Sequence, residues 1–171
     1  MKRKQTFTSA AIAAMGVALL SLGAVALPAS AAVTVTFVHP ESYRDMPFSP
    51  TDREQVLKDL GEYFVKLEKA LPPGQDLTIE VLDLDLAGRM LPSVRAGQDL
   101  RVLRGQADWP HMQLRYTLSA NGTVISSGQD QLSDMAYMDR INVYSSGDSL
   151  RYEKRMVDDW FKKKFVGGKN G

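Results

Sequence analysis

Two stretches of this chain repeat their apolar residues with the period of an α-helix, and neither stripe is stable until something flat covers it. In the first, Val56, Leu57, Leu60, Tyr63, Phe64, Leu67 and Leu71 recur at intervals of one, three or four residues. In the second, Leu150, Met156, Val157, Trp160, Phe161 and Phe165 do the same. Helices of this length draw most of their stability from burying such a stripe. The segments between them alternate with the period of a strand, so the partner is a sheet. The pattern therefore predicts an α+β two-layer sandwich: a small, mainly antiparallel sheet of about four strands with both helices on one face.

The boundaries follow from local chemistry. Thr51 with Glu54 three residues on reads as a capping box for the first helix, and Pro72-Pro73-Gly74 stops it. Gly61 costs about 1 kcal/mol against Ala in a helix interior, which implies a close neighbour or a helix below its best stability. Asp148 or Ser149 caps the second helix, Lys162, Lys163 and Lys164 suit its negative end, and Gly167-Gly168 terminates it, leaving a disordered tail over residues 167–171.

Val33, Val35 and Phe37 alternate with Thr34 and Thr36, and His39-Pro40 closes that strand. Over residues 77–86 the apolar residues change parity, from Leu77, Ile79 and Val81 to Leu82, Leu84 and Leu86, which predicts a bulge near Val81. Residues 88–110 lose periodicity except for a possible short strand at Leu100, Val102 and Leu103. Met112, Leu114, Tyr116 and Leu118 alternate cleanly up to Asn121-Gly122, the preferred pair for a two-residue type I′ hairpin. With those two as the turn, Ala120 faces Thr123 and Leu118 faces Ile125. Residues 133–147 then link to the second helix.

The first thirty-one residues address the chain. Lys2, Arg3 and Lys4 precede an uncharged apolar run over residues 10–27, and Ala29-Ser30-Ala31 supplies the small residues of a cleavage site. The run is rich in Ala and Gly, and Pro28 interrupts it, so cleavage after Ala31 is expected and no stable membrane span remains afterwards. A single α+β domain over residues 32–166 follows, in the periplasm. There is no cysteine, so the fold rests on packing without disulfides. Three of the 21 basic residues lie in the leader, leaving 18 against 20 acidic and a formal charge of −2. That balance offers nucleic acid no general attraction.

No cofactor fingerprint or metal cage is present. Asp83 and Asp85, two apart on a strand, start a passable calcium loop, but Ala87 and Val94 stand at its fifth and twelfth positions, where ligands are needed. An Arg-paired acidic strand explains them as well. The only imidazoles are His39 and His111, so a hydrolase of unrecognised class would have to draw on Asp83, Asp85, Asp108 and His111. Arg89, Arg95, Arg101, Arg104 and Arg115 occur over residues 89–115 without a single Lys, and arginine suits bidentate contact with carboxylate or phosphate. Exposed charges balanced by Asp83, Asp85, Asp99 and Asp108 are the alternative. Residues 135–144 are rich in Met and Tyr and lack a clean period, so they serve either as a contact surface or as a lid on the core. The candidate ligand or partner residues are accordingly Arg101, Arg104, Arg115, Tyr137 and Tyr144. The function expected is that of a non-catalytic binding or assembly module meeting an envelope protein or an anionic envelope component; no oligomeric state is implied.

Ala107-Asp108-Trp109-Pro110, Leu114-Arg115-Tyr116, Leu150-Arg151-Tyr152-Glu153-Lys154-Arg155-Met156 and Asp158-Asp159-Trp160-Phe161 together resemble a family of small exported proteobacterial proteins, domain of unknown function 3016. The resemblance runs from the Val-Thr-Val-Thr-Phe strand to Phe165. It implies an envelope location and brings no reaction, ligand or active-site residue with it.

Overall fold

The alternation after residue 31 becomes strand β1 (Ala32–Phe37), and the stripe around Leu60 becomes helix α1 (Pro50–Lys66). The computed structural model describes residues 30–93, 98–105 and 107–167. Residues 1–29 of the expected leader over residues 1–31, Arg95, and residues 168–171 of the expected tail over residues 167–171 lie outside those residues. Five further strands and a helix follow: β2 (Gln75–Asp85), β3 (Arg89–Ser93), β4 (Gln98–Val102), β5 (His111–Ala120), β6 (Thr123–Ser133) and α2 (Arg151–Phe161).

One sheet has the order β1-β2-β5-β6, with β1 parallel to β2 and the other pairings antiparallel. The second sheet is the hairpin β3-β4. The architecture is the expected α+β class, with a mixed main sheet and an additional small one. Sequence periodicity finds β4 but not β3, because Arg-Met-Leu-Pro-Ser shows no alternation and pairs with β4 alone.

Leu77, Ile79, Val81, Leu114, Tyr116 and Leu118 point from the sheet into one core with Leu60, Phe64, Met156, Val157 and Phe161 of the two helices. Tyr63 on α1 hydrogen-bonds Asp158 on α2, so the helices lie side by side over the same face. The other face is polar: Thr34, Thr36 and Thr78 are exposed, and Arg115 Nη1 pairs with Glu80 Oε2 across β5 and β2 at 2.7 Å.

The predicted bulge occurs between Val81 and Asp83. It lets β2 bury Leu77, Ile79 and Val81 before it and Leu84 after it. Gly61 does have close neighbours, since a Cβ there would meet Phe37 and Val35 at ordinary contact distance. Three local expectations are corrected. The N-cap of α1 is Ser49, whose Oγ accepts from Asp52 N, with Pro50 in the first turn where its missing N–H costs nothing. Asn121 and Gly122 both have positive φ and Ala120 does face Thr123, but a second bulge after Leu118 pairs it with Ser126. Ile125 is consequently left exposed instead of facing Leu118. The N-cap of α2 is Leu150, not Asp148 or Ser149; Asp148 Oδ1 accepts from Leu150 N at 2.9 Å, one step before the helix, and after α2 the chain widens into a π-helix, Lys162–Val166.

Candidate functional site

Between β6 and α2, residues 134–149 cross the protein with no strand and no α-helix, yet their backbone is anchored throughout. An irregular segment must find partners for its peptide groups, and here a helix side chain supplies them. Arg155, in the middle of α2, is buried. Its Nη2 donates to Asp134 Oδ2 at 2.6 Å and to Tyr137 O at 2.9 Å, and its Nη1 donates to Arg140 O at 2.9 Å and Ile141 O at 3.3 Å. The planar guanidinium can serve several acceptors at once in a way an ammonium cannot. Asp134 is itself buried, and Arg140 adds a weaker contact to it at 3.6 Å.

Other contacts fix the ends. Asn142 Nδ2 donates to Arg151 O, and Asn142 Oδ1 accepts from Tyr144 N, both at 3.0 Å. Tyr144 Oη donates to Asp158 Oδ2 at 2.7 Å, and Tyr63 Oη stands within reach of both Tyr144 Oη and Asp158 Oδ1, either of which can accept its one proton. Burial, despite an opposing contribution from the Tyr63 hydroxyl and together with the Asp158 carboxylate, pushes the Tyr144 phenol up to about 12. Both tyrosines therefore remain protonated donors at neutral pH.

Tyr137 is fully buried. It stacks edge-on against Tyr152 with ring centroids 4.8 Å apart, and Ala87, Leu103 and Trp109 complete a small second core. Its hydroxyl donates to Asp108 Oδ1 at 2.8 Å, and burial followed by that carboxylate raises its phenol to about 12. Asp108 also accepts from Arg104 N and Gly105 N. These donors outweigh burial and hold the Asp108 carboxyl below its ordinary value.

With its carbonyls and tyrosines turned inward, the segment directs its apolar side chains out. Ile141 is 93% exposed, Val143 81%, Met135 66% and Met138 48%. Four large apolar side chains exposed within nine residues make this segment a candidate contact surface.

The three arginines singled out in the Arg-rich stretch are engaged separately. Arg101 is mostly buried, donating to Ala87 O, Ser149 O and Glu153 Oε1, and Glu153 is fully buried. Arg115 lies on the polar face of the sheet, paired with Glu80. Arg104 is exposed and shares the Asp108 carboxylate with Tyr137. Of the five residues singled out from sequence, only these two converge. Arg101 and Tyr137 are corrected from surface to interior, because each satisfies backbone groups that would otherwise be buried without partners.

Of the four hydrolase candidates, Asp83, Asp85 and His111 are neighbours at one end of β2 and β5, without a hydrogen bond between imidazole and carboxylate. Arg44 lies 3.4 Å from Asp83 and 3.8 Å from Asp85, the Arg-paired arrangement. Burial, opposed by Arg44 and helped by Asp45, raises the Asp85 carboxyl, but His111 Nδ1 stands 3.9 Å from it, beyond hydrogen-bond range. Asp108 is committed to the Gly105 turn. Among the described residues no group of three His, Asp or Glu side chains stands where it could hold a metal ion, and no helix is long and apolar enough to cross a membrane.

Residues 31–163, from just before β1 through α2, match the family described as Protein of unknown function (DUF3016). The chain belongs to that family. No curated protein and no solved structure matches it. The DUF3016 match takes in β3-β4, the loop over residues 134–149, Arg101 and Arg155, so the anchored loop is part of the family domain.

Sequence reasoning passes over Arg155, Asp134, Glu153 and Asn142. One signal was available: Glu153 falls four residues before Val157, on the apolar stripe, and a charge there must find a partner.

Proposed function

We propose that this DUF3016 protein is an exported, periplasmic, non-catalytic binding module that meets an envelope protein through the loop over residues 135–143. The observation that carries this reading is the combination of rigidity and exposure in that loop. Arg155 satisfies its carbonyls from beneath while Met135, Met138, Ile141 and Val143 stand in solvent. A surface already ordered before binding loses less entropy on association. The methionines add adaptable contact area.

An apolar groove on a protein suits these side chains better than an anionic polymer does. Arg101 is enclosed, Arg115 is paired, and Arg140 is bound to Asp159 at 2.8 Å, so the arginines nearby have little left to offer phosphate. Export is supported by the basic, then apolar, then small-residue order of the first thirty-one residues.

Site-specific photo-crosslinking in intact cells tests this. A crosslinker at position 141 or 143 should capture one envelope protein, and the product should disappear when Arg155→Met frees the loop. Positions 124 and 125, also apolar and exposed near the hairpin tip, serve as controls. The same product from those positions, or none from 141 and 143, counts against the proposal.

A further inference from the structure

The two edges of the main sheet are not alike. Edge strand β6 carries Gln129, Asp130 and Gln131, and Asp130 is held by Trp160 Nε1 at 2.9 Å and Lys164 Nζ at 3.1 Å. It is bulged near the hairpin as well. Charge and bulges are how sheets discourage further pairing. Edge strand β1 has none of these: Ala-Val-Thr-Val-Thr-Phe contains no charge, no proline and no bulge.

Its free backbone groups can be assigned. Val38 N donates to Val81 O at 2.9 Å, and β1 is parallel to β2 with Phe37 beside Val81. The even-numbered peptide groups therefore face β2, and the N–H and C=O of Val33, Val35 and Phe37 face outward. The side chains of these three residues lie on the helix side. There Val33 and Val35, with Thr34, border a groove of about 490 Å³, whose wall from α1 is Gly61, Glu62, Val65 and Lys66. Val65 is exposed and Val35 is only half-buried, as is Phe37 at the end of the strand, so an apolar strip runs along an edge that no other described residue pairs with.

We infer that this edge binds the same edge of a second copy of the chain, antiparallel about a two-fold axis through Val35. The three outward-facing residues then meet as hydrogen-bonded pairs, Val35 with Val35 and Val33 with Phe37, and every apolar side chain stays on the helix side. Thr34 faces Thr36 on the polar side. The charges agree with the same register. Gly61 lies over Phe37 and Val35, so α1 runs antiparallel to β1, and the two-fold brings Glu62 of one copy to nearly the height of Lys66 of the other. An isologous contact of this kind closes on itself and joins two four-stranded sheets into one.

The test uses the polar-face pair, which the monomer leaves exposed. Light scattering on the full chain, with its N-terminus read by intact mass, should give twice the chain mass. Thr34→Lys with Thr36→Lys sets like charges against each other across the axis and should halve that mass. Thr34→Glu with Thr36→Lys restores opposite charges in the same register and should keep the doubled mass. Both variants should still unfold in one cooperative transition, the single-chain one at a lower temperature because it lacks the stabilisation that association supplies. A single-chain mass for the wild type at every concentration overturns the inference, as does a doubled mass that survives the two lysines. A crosslink from residues 1–29 to Val65 of the same chain would give the groove to that segment and also overturn it.

Discussion

The sheet core and the loop over residues 134–149 are both anchored, but by opposite means. In the core, aliphatic and aromatic side chains exclude water and the strands satisfy their own backbone. In the loop, buried charges do that work: Arg155 with Asp134, and Arg101 with Glu153, supply the donors and acceptors that an irregular backbone lacks. A periodic core tolerates the loss of a contact by losing stability everywhere. A loop held by one guanidinium should fail locally, and that contrast can be tested.

The largest effect belongs to the core. Phe64 is fully buried between sheet and helices, and Phe64→Ala should cost about 3–5 kcal/mol, read as a fall in the denaturation midpoint with all amides losing protection together. Next comes the guanidinium. Arg155→Met leaves Asp134 buried with only the longer contact to Arg140, a cost of about 3 kcal/mol. Limited proteolysis should then cut between residues 134 and 144 while the sheet stays folded. Pairing it with Asp134→Leu should recover stability but not protection from cleavage, because the carbonyls of Tyr137, Arg140 and Ile141 still lack a donor.

The smallest effect is in acid. The carboxyls of Asp108, Asp130 and Asp148 are held low: burial opposes this, but it is outweighed by hydrogen bonds from Tyr137, from Trp160 and from Lys154 respectively. Their contribution is complete above the unfolded value of about 3.9 and is lost as pH falls through the lower folded values. Asp85 runs the other way. Burial raises its carboxyl, so taking up a proton stabilises the fold as pH falls through its raised value. Stability measured by denaturant at stepped pH should therefore hold or rise slightly before dropping below about pH 4. Asp85→Asn should remove the rise and leave the drop.

The same contrast explains what could be read from the chain. The stripes around Leu60 and Trp160, the bulge at Val81 and the Asn121-Gly122 turn are repeating or local signals, and each stands in the structure where the residues put it. The bulge after Leu118 leaves no mark in Ser-Ala-Asn-Gly-Thr-Val, so Ile125 was expected opposite the wrong residue. Arg101 and Tyr137 read as surface groups because charge and a phenol usually are; their burial depends on Glu153 and Asp108, which are distant in sequence. An anchored loop is a property of long-range partners, which periodicity does not encode.

Hydrogen exchange at Asp139 and Tyr144 tests the central claim most directly. In the loop their amides donate only to Ala136 O and to Asn142 Oδ1. If the loop is ordered from beneath by Arg155, both amides should exchange slowly in the wild type and quickly in Arg155→Met, with Ile79 and Leu114 protected in both. Fast exchange at Asp139 and Tyr144 in the wild type would contradict the account.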